Sequence, residues 1–402
     1  MFKRRLPLVV ILGLGLLVLT FVAATRFSTY SSANSVPPKA ELIVHEWGTF
    51  TSVAAQDGSA LIWRPLTVES DLPSFVYSVD NGGTWRGRGL RYPSKSGLAV
   101  RVRMETPVLY FYAKEETSVA VKVGFPSGRI TEWYPTAQLG NGAIDWGQVR
   151  VMPAAQVYLP NDFRENHYYP ARQTDAAALQ VRRGQVTEHE KFLFYRGVGG
   201  FDLPLWVRLV EGQVTIRNVG TEAVRKAILF EKRDAKIGYQ VVDMPLDSST
   251  EVKLNRPELR GNLKEMRSEL RAMLVSEGLY EKEADAMLET WRDSWFEEGL
   301  RVFYILPRKS TDAIIPINIA PEPGELVRVL VGRTELLTPE MEKTVAAKVR
   351  TLSDPSLTVR QAALQDINRY GRFTESILTQ LLSHTSDPAI KKEVERLLAA
   401  RN

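Results

Sequence analysis

The fold follows most directly from the stretch Val119-Ala120-Val121-Lys122-Val123, in which valine occupies every second position. An alternation of period two is typical of a strand with one buried face. The same period recurs in Val214-Thr215-Ile216-Arg217. Another stretch, Pro107-Val108-Leu109-Tyr110-Phe111-Tyr112, has the β-branched and aromatic residues that strands favour. These stretches predict a domain built mainly from strands.

The strand pattern continues from residue 41 to about residue 247 without a long helical pattern between the strands. Parallel strands need long connections, which are usually helices, whereas antiparallel strands need only tight turns. The sequence therefore predicts a mainly β fold with added α, and specifically an antiparallel β-sandwich. Because strand pattern returns in residues 300–306 and 326–331, we expect this β domain to span residues 41–336.

A helical period replaces the strand period in residues 256–298. Apolar residues recur there at three- and four-residue steps with charged residues between them, in two sets: Leu259, Leu263, Met266, Leu270 and Met273, then Ala284, Leu288, Trp291 and Trp295. This spacing predicts two amphipathic helices, and they interrupt the β domain rather than end it.

Residues 337–402 contain three helix starts of one kind. Ser353-Asp354-Pro355 and Ser386-Asp387-Pro388 lie 33 residues apart, and Leu337-Thr338-Pro339-Glu340 has the same pattern. The Asp or Thr caps free backbone N–H groups, and Pro loses no hydrogen bond at the first helical position. The segment from Asp354 to Leu364 resembles a HEAT-type repeat. We expect a short HEAT-like array that packs on the β domain and offers a surface to a protein partner.

The first 24 residues have the pattern of a membrane segment. Residues 6–24 carry no charge and directly follow Lys3-Arg4-Arg5. As a helix they rise roughly 28 Å, close to the hydrocarbon thickness of a bilayer. The basic flank is expected to stay in the cytoplasm. We therefore expect an anchor at 1–24 in the inner or plasma membrane, a linker at 25–40 and an extracytoplasmic body.

The alternative is a cleaved signal peptide, which has a basic start and ends in small residues. Val22-Ala23-Ala24 and Ser31-Ser32-Ala33 both fit such a cleavage site. Cleavage would leave a periplasmic or secreted protein. In both cases the body of the protein lies outside the cytoplasm.

Composition excludes two further features. The chain of 402 residues contains no cysteine, so no disulfide stabilises it. Its net charge is +5, but Lys3, Arg4 and Arg5 contribute three of these charges and leave +2 for residues 25–402. Nucleic-acid binding usually depends on a strongly basic surface. We therefore expect no nucleic-acid partner.

Metal chemistry is limited by the histidines, which are only four, at positions 45, 167, 189 and 384. His45-Glu46 and His189-Glu190 begin like a zinc-protease helix motif, but neither has the second His three residues after the Glu. Histidines can still meet Glu105 or Glu132 in space around a metal. The other interpretation is polar residues satisfied at strand ends, and we expect no bound metal or cofactor.

Carboxylates beside aromatic residues or proline suggest a second kind of chemistry; they are Glu46, Glu105, Glu132, Glu190, Glu297 and Glu298. A paired acid and base can cleave a glycosidic bond, and aromatic faces can stack on sugar rings. The other interpretation is that the aromatics fill the core and the carboxylates pair with Arg103, Arg196, Arg301 or Arg333. The candidate catalytic pool is His45, Glu46, Glu105, Glu132, His189 and Glu190.

Five uncommon strings resemble one family. They are His45-Glu46-Trp47-Gly48-Thr49-Phe50-Thr51-Ser52, Met104-Glu105-Thr106-Pro107, Thr131-Glu132-Trp133-Tyr134-Pro135, Lys191-Phe192-Leu193-Phe194-Tyr195-Arg196-Gly197 and Val331-Gly332-Arg333-Thr334-Glu335. Together they are similar to a family of uncharacterised exported bacterial proteins, over most of residues 41–345. The resemblance implies an exported domain and carries no catalytic role.

Two functions follow as expectations. The first is a membrane-tethered or exported protein that binds other molecules or organises the envelope. The second is an envelope hydrolase that acts on glycans through paired carboxylates. An open cleft with two or more of the six candidate side chains favours the hydrolase, whereas separate ion pairs favour the binding protein.

Overall fold

The computed structural model describes residues 40–65, 72–79, 98–140, 142–243 and 246–400. The predicted anchor and the linker up to residue 39 lie outside this part of the chain. Among the helices of the described ranges, none is both long enough and apolar enough to cross a bilayer.

In chain order the described strands are β1 Ala40–Ala54, β2 Tyr77–Ser78, β3 Val102–Tyr112, β4 Thr117–Gly124, β5 Gly128–Tyr134, β6 Gln138–Gly140, β7 Ala143–Met152, β8 Ala178–Arg183, β9 Val186–Glu190, β10 Leu193–Gly199, β11 Leu205–Val210, β12 Gln213–Asn218, β13 Ala227–Arg233, β14 Lys236–Val242, β15 Glu251–Asn255, β16 Gly299–Ile305, β17 Ile317–Ala320 and β18 Pro323–Leu336. Most of the described strands are joined by short connections, whereas longer segments follow β1, β2 and β7.

Helices occupy the segments between β15 and β16 and after β18, with one more between β16 and β17. They are α1 Leu263–Ser276, α2 Glu281–Thr290, α3 Arg308–Ile314, α4 Pro339–Arg350, α5 Leu357–Asn368, α6 Thr374–His384 and α7 Pro388–Ala399, with 3₁₀ turns at Tyr169–Arg172, Ser294–Phe296, Thr351–Ser353 and Gly371–Phe373. The mainly β fold with a helical pair and C-terminal helices is therefore confirmed.

The largest sheet, here called the central sheet, joins nine of the described strands in the order β14-β13-β16-β18-β1-β3-β10-β5-β2. Its pairs are antiparallel except one, since β1 runs parallel to β18 from Ala40↔Pro323 to Ala54↔Leu336. The predicted antiparallel pairing is therefore present in the other seven pairs of this sheet. The connection between β1 and β18 is the whole β domain, which is long enough for a parallel pair.

Two smaller sheets cover one face of the central sheet. They have the orders β17-β4-β7-β8-β9 (with β6 paired to β7) and β11-β12-β15. One hydrophobic cluster joins all three sheets, and it includes Phe50, Leu109, Val121, Trp146 and Ile216. This is the sandwich core that the alternating strands predict.

The other face of the central sheet is covered by helices. Trp47, Tyr110 and Phe303 of the sheet share a second buried cluster with Leu270 of α1 and Met287 of α2. The helical pair α1–α2 thus forms a third layer, and its apolar stripe faces the sheet as the sequence period predicts.

The C-terminal helices α4–α7, here called the terminal helices, enclose a third cluster. It contains Val53 and Trp63 from the β domain together with Val345, Ile377 and Val394 from the helices. The expected packing of this segment on the β domain is therefore observed.

Two of the three predicted helix starts agree with the structure. Thr338 accepts a hydrogen bond from the N–H of Met341, at 3.3 Å, and Pro339 is the first residue of α4. Asp387 accepts from the N–H of Ala389 at 3.0 Å, and Pro388 begins α7. The prediction for Asp354-Pro355 was wrong by two residues, because α5 begins at Leu357 rather than at Pro355.

The helix α5 begins at Leu357, with Ser356 as its N-cap residue. Asp354 instead accepts from the N–H of Ser356, at 2.8 Å, and closes a turn before the helix. An Asp side chain can cap a helix or close a local turn with its own backbone, and the sequence pattern is the same for both.

Candidate functional site

The five uncommon strings lie side by side in the middle of the central sheet. Each string contributes to one of five adjacent strands, in the spatial order β18, β1, β3, β10 and β5. Strings that are far apart in sequence are direct neighbours, as in the pairs Phe50↔Met104 and Arg196↔Glu132. The strings therefore form one continuous region, and most of the candidate residues belong to it.

The β1–β3 pair is irregular where two strings meet. Its register shifts between Trp47 and Thr49. A Cβ atom placed on Gly48 would lie 2.9 Å from the Cα of Pro107, closer than real Cβ contacts allow. Thr106 beside it has a φ of 49°, which is unusual for a β-branched residue. Gly48 and Thr106 thus fit a bulge between the two strands.

On the sandwich face, Glu46 lies in a buried ion pair. Its Oε2 is 2.6 Å from Nε of Arg328, and its Oε1 accepts a hydrogen bond of 2.5 Å from the hydroxyl of Tyr195. Arg328 also contacts Asp312 at 2.6 Å. The side chains of Glu46 and Arg328 are both fully buried. Burial raises the pKa of the Tyr195 hydroxyl, and the Glu46 carboxylate raises it further. Tyr195 therefore stays a proton donor.

On the opposite face, His45 binds the helical pair. Its Nδ1 lies 2.8 Å from Oε2 of Glu283, which is near the start of α2. Glu283 also accepts from the hydroxyl of Tyr112 and from the N–H of Tyr280, each at 2.8 Å. His45 and Glu46 are adjacent in sequence, but they point to opposite faces of the sheet, since neighbouring strand residues alternate.

Glu105 and Glu132 have their own local partners. Glu105 accepts from the hydroxyl of Thr51 at 3.2 Å and lies 3.4 Å from Nε of Arg103. Glu132 accepts a hydrogen bond of 2.5 Å from the hydroxyl of Thr131. Both carboxylates are buried. The expected pairing of a carboxylate with Arg103 is present.

Glu190 lies in a buried cluster with aromatic residues. It accepts from Nε of Arg172 at 2.9 Å, from the hydroxyl of Tyr168 at 3.0 Å and from the N–H of Lys191 at 2.8 Å. Burial raises the pKa of the Glu190 carboxyl, and the hydrogen bonds from Arg172 oppose that rise. The guanidinium of Arg172 lies 4.9 Å from the ring centre of Tyr169, close enough for a cation–π contact.

His189 is the candidate with the most access to solvent. Its Nε2 lies 2.9 Å from Nε2 of Gln180, its partner across β8 and β9. The other five candidates are buried. Because successive side chains of a strand point to opposite faces, His189 and Glu190 also lie on opposite sides of β9.

The structure thus places the six candidates in separate surroundings rather than around one opening. Glu46, Glu105 and Glu190 each accept hydrogen bonds from buried donors, and His45 is enclosed between β1 and α2. A carboxylate held in this way must break its ion pair before it can reach a substrate. The arrangement is suited to holding strands and helices together.

A further ion-pair network links the central sheet to the 3₁₀ turn before β16. Glu335 lies 2.7 Å from Arg301 and 2.6 Å from Arg333, and Arg333 lies 2.6 Å from Glu297. Arg301 also donates to the carbonyl of Trp295 at 2.6 Å. Burial lowers the pKa of Arg301, although Glu335 opposes this. The suggested carboxylate partners Arg301 and Arg333 are both used here.

Sequence reasoning missed most of the partners. Arg328 is 282 positions from Glu46, and Glu283 is 238 positions from His45. No local pattern predicts such pairs. One signal was present for Glu283, because a Glu three residues after a helix N-cap reaches back to the backbone of that N-cap residue, here Tyr280.

Metal ligands and surface grooves are the two remaining kinds of candidate site. In the part of the chain that the structure describes, no group of three or more His, Asp or Glu side chains is arranged to hold a metal ion. A surface groove of about 790 Å³ lies on the helical pair and is lined largely by charged residues. Three of the four cations in its lining already face acids, in the contacts Arg271–Asp285 at 2.6 Å, Lys282–Asp175 at 2.6 Å and Arg267–Glu289 at 3.4 Å.

The terminal helices carry an exposed apolar surface at the start of α5. Val359 is 40% exposed, and Ala362, three residues later on the same side of the helix, is exposed as well. Leu357 is 59% exposed, but it lies two positions before Val359 and therefore points to another side of the helix. The helix is fixed to the array, because Ala363 and Ile367 are buried in the third cluster. Val359 and Ala362 together are called the α5 patch below.

Comparison with known proteins adds little. The sequence matches no protein-family model and no curated protein. Among solved structures, the chain is similar to the Fcho1 Mu homology domain of Danio rerio with bound Eps15 peptide, at 6% identity and a TM-score of 0.31, covering 74% of this chain and 98% of that one. It is also similar to the yeast delta-COP-I mu-homology domain complexed with a Dsl1 WxWxV peptide, at 9% identity and a TM-score of 0.29, covering 75% and 98%. Similarity at this level establishes nothing about this chain.

Proposed function

We propose that this chain is an exported protein, held at the outer face of the inner or plasma membrane by residues 6–24, whose body binds another protein rather than catalysing a reaction. One observation carries the proposal against the hydrolase. The candidate acids Glu46, Glu105 and Glu190 are buried in contacts with Arg328, Arg103 and Arg172, respectively. A glycosidase instead needs an acid and a second carboxylate on either side of an accessible bond.

The tether is supported by sequence. Residues 6–24 are uncharged and follow three consecutive basic residues, the arrangement of an anchor whose start stays in the cytoplasm. The described body begins at β1, so residues 25–39 connect the two. A reporter enzyme that is active only outside the cytoplasm, fused after Asn402, is expected to be active and membrane-bound. A mature amino terminus at Thr25 or Asn34 would instead show cleavage and contradict the anchor.

The α5 patch supports a protein partner. Exposed apolar side chains on one face of a helix can dock into an apolar groove of a partner. The terminal helices are held on the β domain by Trp63, whose ring lies 5.6 Å from that of Phe373, and by the ion pair Arg64–Glu375 at 2.8 Å. The patch is therefore presented on a fixed support.

A photo-crosslinking amino acid placed at Ala362 in intact cells tests this role. We expect one discrete adduct with another protein, and we expect Val359→Asp to remove that adduct. A crosslinker at Val186, which is 45% exposed on β9, is the matched control and is expected to give no such adduct.

One combination of results would support the hydrolase instead. If the crosslinker at position 362 gives no adduct, and the purified chain cleaves envelope glycans in an assay that Glu190→Gln abolishes, then the hydrolase is correct and the binding proposal is wrong.

A further inference from the structure

An exposed apolar loop connects β7 to the 3₁₀ turn at Tyr169–Arg172. This segment, residues 153–167, is called the aromatic loop here. It has no charged residue from Pro153 to Asn161. Tyr158 is 80% exposed and Phe163 is 88% exposed. Exposed apolar patches of this kind usually mark a contact with another protein or with a membrane.

The aromatic loop is held in place rather than loosely extended. Asp162 accepts from the N–H of Ser74 at 2.9 Å, from the hydroxyl of Tyr169 at 2.8 Å and from Nη2 of Arg164 at 2.8 Å. Phe163 has a φ of 58°, and its N–H donates to Asn161 at 2.7 Å. The exposure of Phe163 is therefore fixed by hydrogen bonds.

The loop starts at the end of the body where β1 starts. Met152, the last residue of β7, is paired with Ala178. The neighbouring Ala177 donates its N–H to the carbonyl of Phe111 at 2.9 Å, and Phe111 is paired with Val44 of β1. Residues 25–39 therefore join the body at the same end as the base of the loop.

The charged residues next to Phe163 have partners of opposite charge. Arg164 lies 2.8 Å from Asp162, and Glu165 lies 2.6 Å from Arg292. A loop that enters a membrane interface loses part of its hydration, so paired charges and uncharged aromatic side chains are favoured there.

We propose that the aromatic loop places Tyr158 and Phe163 into the interfacial layer of the bilayer that holds residues 6–24. This inference rests on the tether in the proposed function. Fifteen residues can span at most roughly 50 Å, so this end of the body stays near the bilayer. Tyr and Phe are suited to the headgroup region, and no other partner is certain to lie so near. The contact would fix the orientation of the body on the membrane.

The absence of cysteine allows a direct test with the full-length chain. A single cysteine at the exposed position Gln156 is labelled with a fluorophore, and the protein is reconstituted in vesicles of phosphatidylcholine and phosphatidylglycerol. Spin-labelled lipid is expected to quench this label at least threefold more than the same label at Val186. Val186 lies at the far end of β8 and β9 from Ala178, so it is a matched exposed control.

Variants make the test specific. The double variant Tyr158→Ser/Phe163→Ser is expected to reduce quenching at position 156 to the level of position 186. The control variant Leu357→Ser, which removes an exposed apolar side chain elsewhere, is expected to leave it unchanged. Circular dichroism checks that each variant is folded.

Two results overturn the inference. One is equal quenching at positions 156 and 186 in protein that floats with the vesicles. The other is a label at 156 that is shielded only when membrane proteins are added, which shows a protein partner for the loop. Failure of the chain to float with vesicles instead contradicts the tether, so that the two proposals fail in distinguishable ways.

Discussion

Arg328 shows what the buried charges do at the scale of single residues. Its nitrogens contact Glu46 at 2.6 Å, Asp312 at 2.6 Å and the carbonyl of Ile315 at 2.7 Å. Arg328→Met leaves the Glu46 carboxylate buried without its cation. We expect a loss of about 3–5 kcal/mol in the free energy of unfolding, measured by urea denaturation.

The matched control is Arg150→Met. Arg150 also has an ion pair, with Glu116 at 2.5 Å, but both side chains are about half exposed. The decrease in the free energy of unfolding caused by Arg150→Met is expected to stay below about 1 kcal/mol. Equal losses in the two variants would show that burial of the Arg328 pair has no special role.

Asp162 gives a prediction about pH. Burial alone would raise the pKa of Asp162, but hydrogen bonds from Ser74, Tyr169 and Arg164 outweigh it and hold the pKa well below its ordinary value. An acid with a lowered pKa in the folded state stabilises the fold above its unfolded pKa, near 3.9, and loses this effect as pH falls through the folded pKa.

Asp162→Asn is therefore expected to cost about 1.5–3 kcal/mol at pH 7, because the bonds to a charged acceptor are lost. The difference in the free energy of unfolding between the variant and the wild type should become smaller at pH 3, where the Asp162 carboxyl is protonated in the unfolded state. Urea denaturation at both pH values measures this. If the difference in the free energy of unfolding is the same at pH 3 as at pH 7, the effect of Asp162→Asn comes from the shape of the side chain rather than from its charge.

At the scale of single residues, the sequence indicated which residues form ion pairs better than it indicated their partners. A carboxylate pairing with Arg103 or Arg333 was expected, and Glu105 and Glu297 form these pairs. The partner of His45 could not be predicted, because its contact depends on how a helix 238 residues away packs on the sheet.

At the scale of elements, two similar helix starts differ in the role of their aspartate. Asp387 caps α7 through the N–H groups of Ala389 and Ile390, whereas Asp354 lies in a turn before α5. Asp387→Ala is expected to cost about 0.5–2 kcal/mol, the usual effect of removing an N-cap.

Asp354→Ala is the internal control for that prediction, since it changes the same residue type in the same sequence pattern. We expect it to cost clearly less than Asp387→Ala when both are measured by thermal unfolding. If Asp354→Ala costs more, the structural distinction between the two starts is wrong.

Elements with a clear period were predictable, and those buried on both sides were not. The helical pair follows from the spacing of Met266, Leu270 and Met273, which face the sheet. Both faces of β1 are covered, so Thr49 and Thr51 are buried and none of residues 42–54 is exposed. The sequence of this strand therefore shows no alternation of buried and exposed residues. Its parallel partner β18 could not be predicted, since parallel pairing depends on long-range packing and not on local period.

At the scale of the whole molecule, Trp63 connects the β domain to the terminal helices. It is almost fully buried, and its ring lies 5.6 Å from that of Phe373. Trp63→Ala is expected to cost about 3–5 kcal/mol by leaving a cavity between the two parts. We expect faster trypsin cleavage within α4–α7 as well as lower stability to urea.

The partly exposed Trp206, which lies on β11, provides the matched control. Trp206→Ala is expected to cost less and to leave cleavage of the terminal helices unchanged. If Trp63→Ala also leaves that cleavage unchanged, the terminal helices do not depend on this contact.

The pairing of β1 with β18 has a consequence for the order of events during synthesis. Trp47 is paired with Val329, so the middle of the central sheet is incomplete until almost all of the β domain has been made. Contacts between residues so distant in sequence form slowly. In the proposed export of this chain, the delay would leave the segments already synthesised without their partner strands and so able to pass through a narrow translocation channel. The last strand of the domain would then complete folding on the outer side.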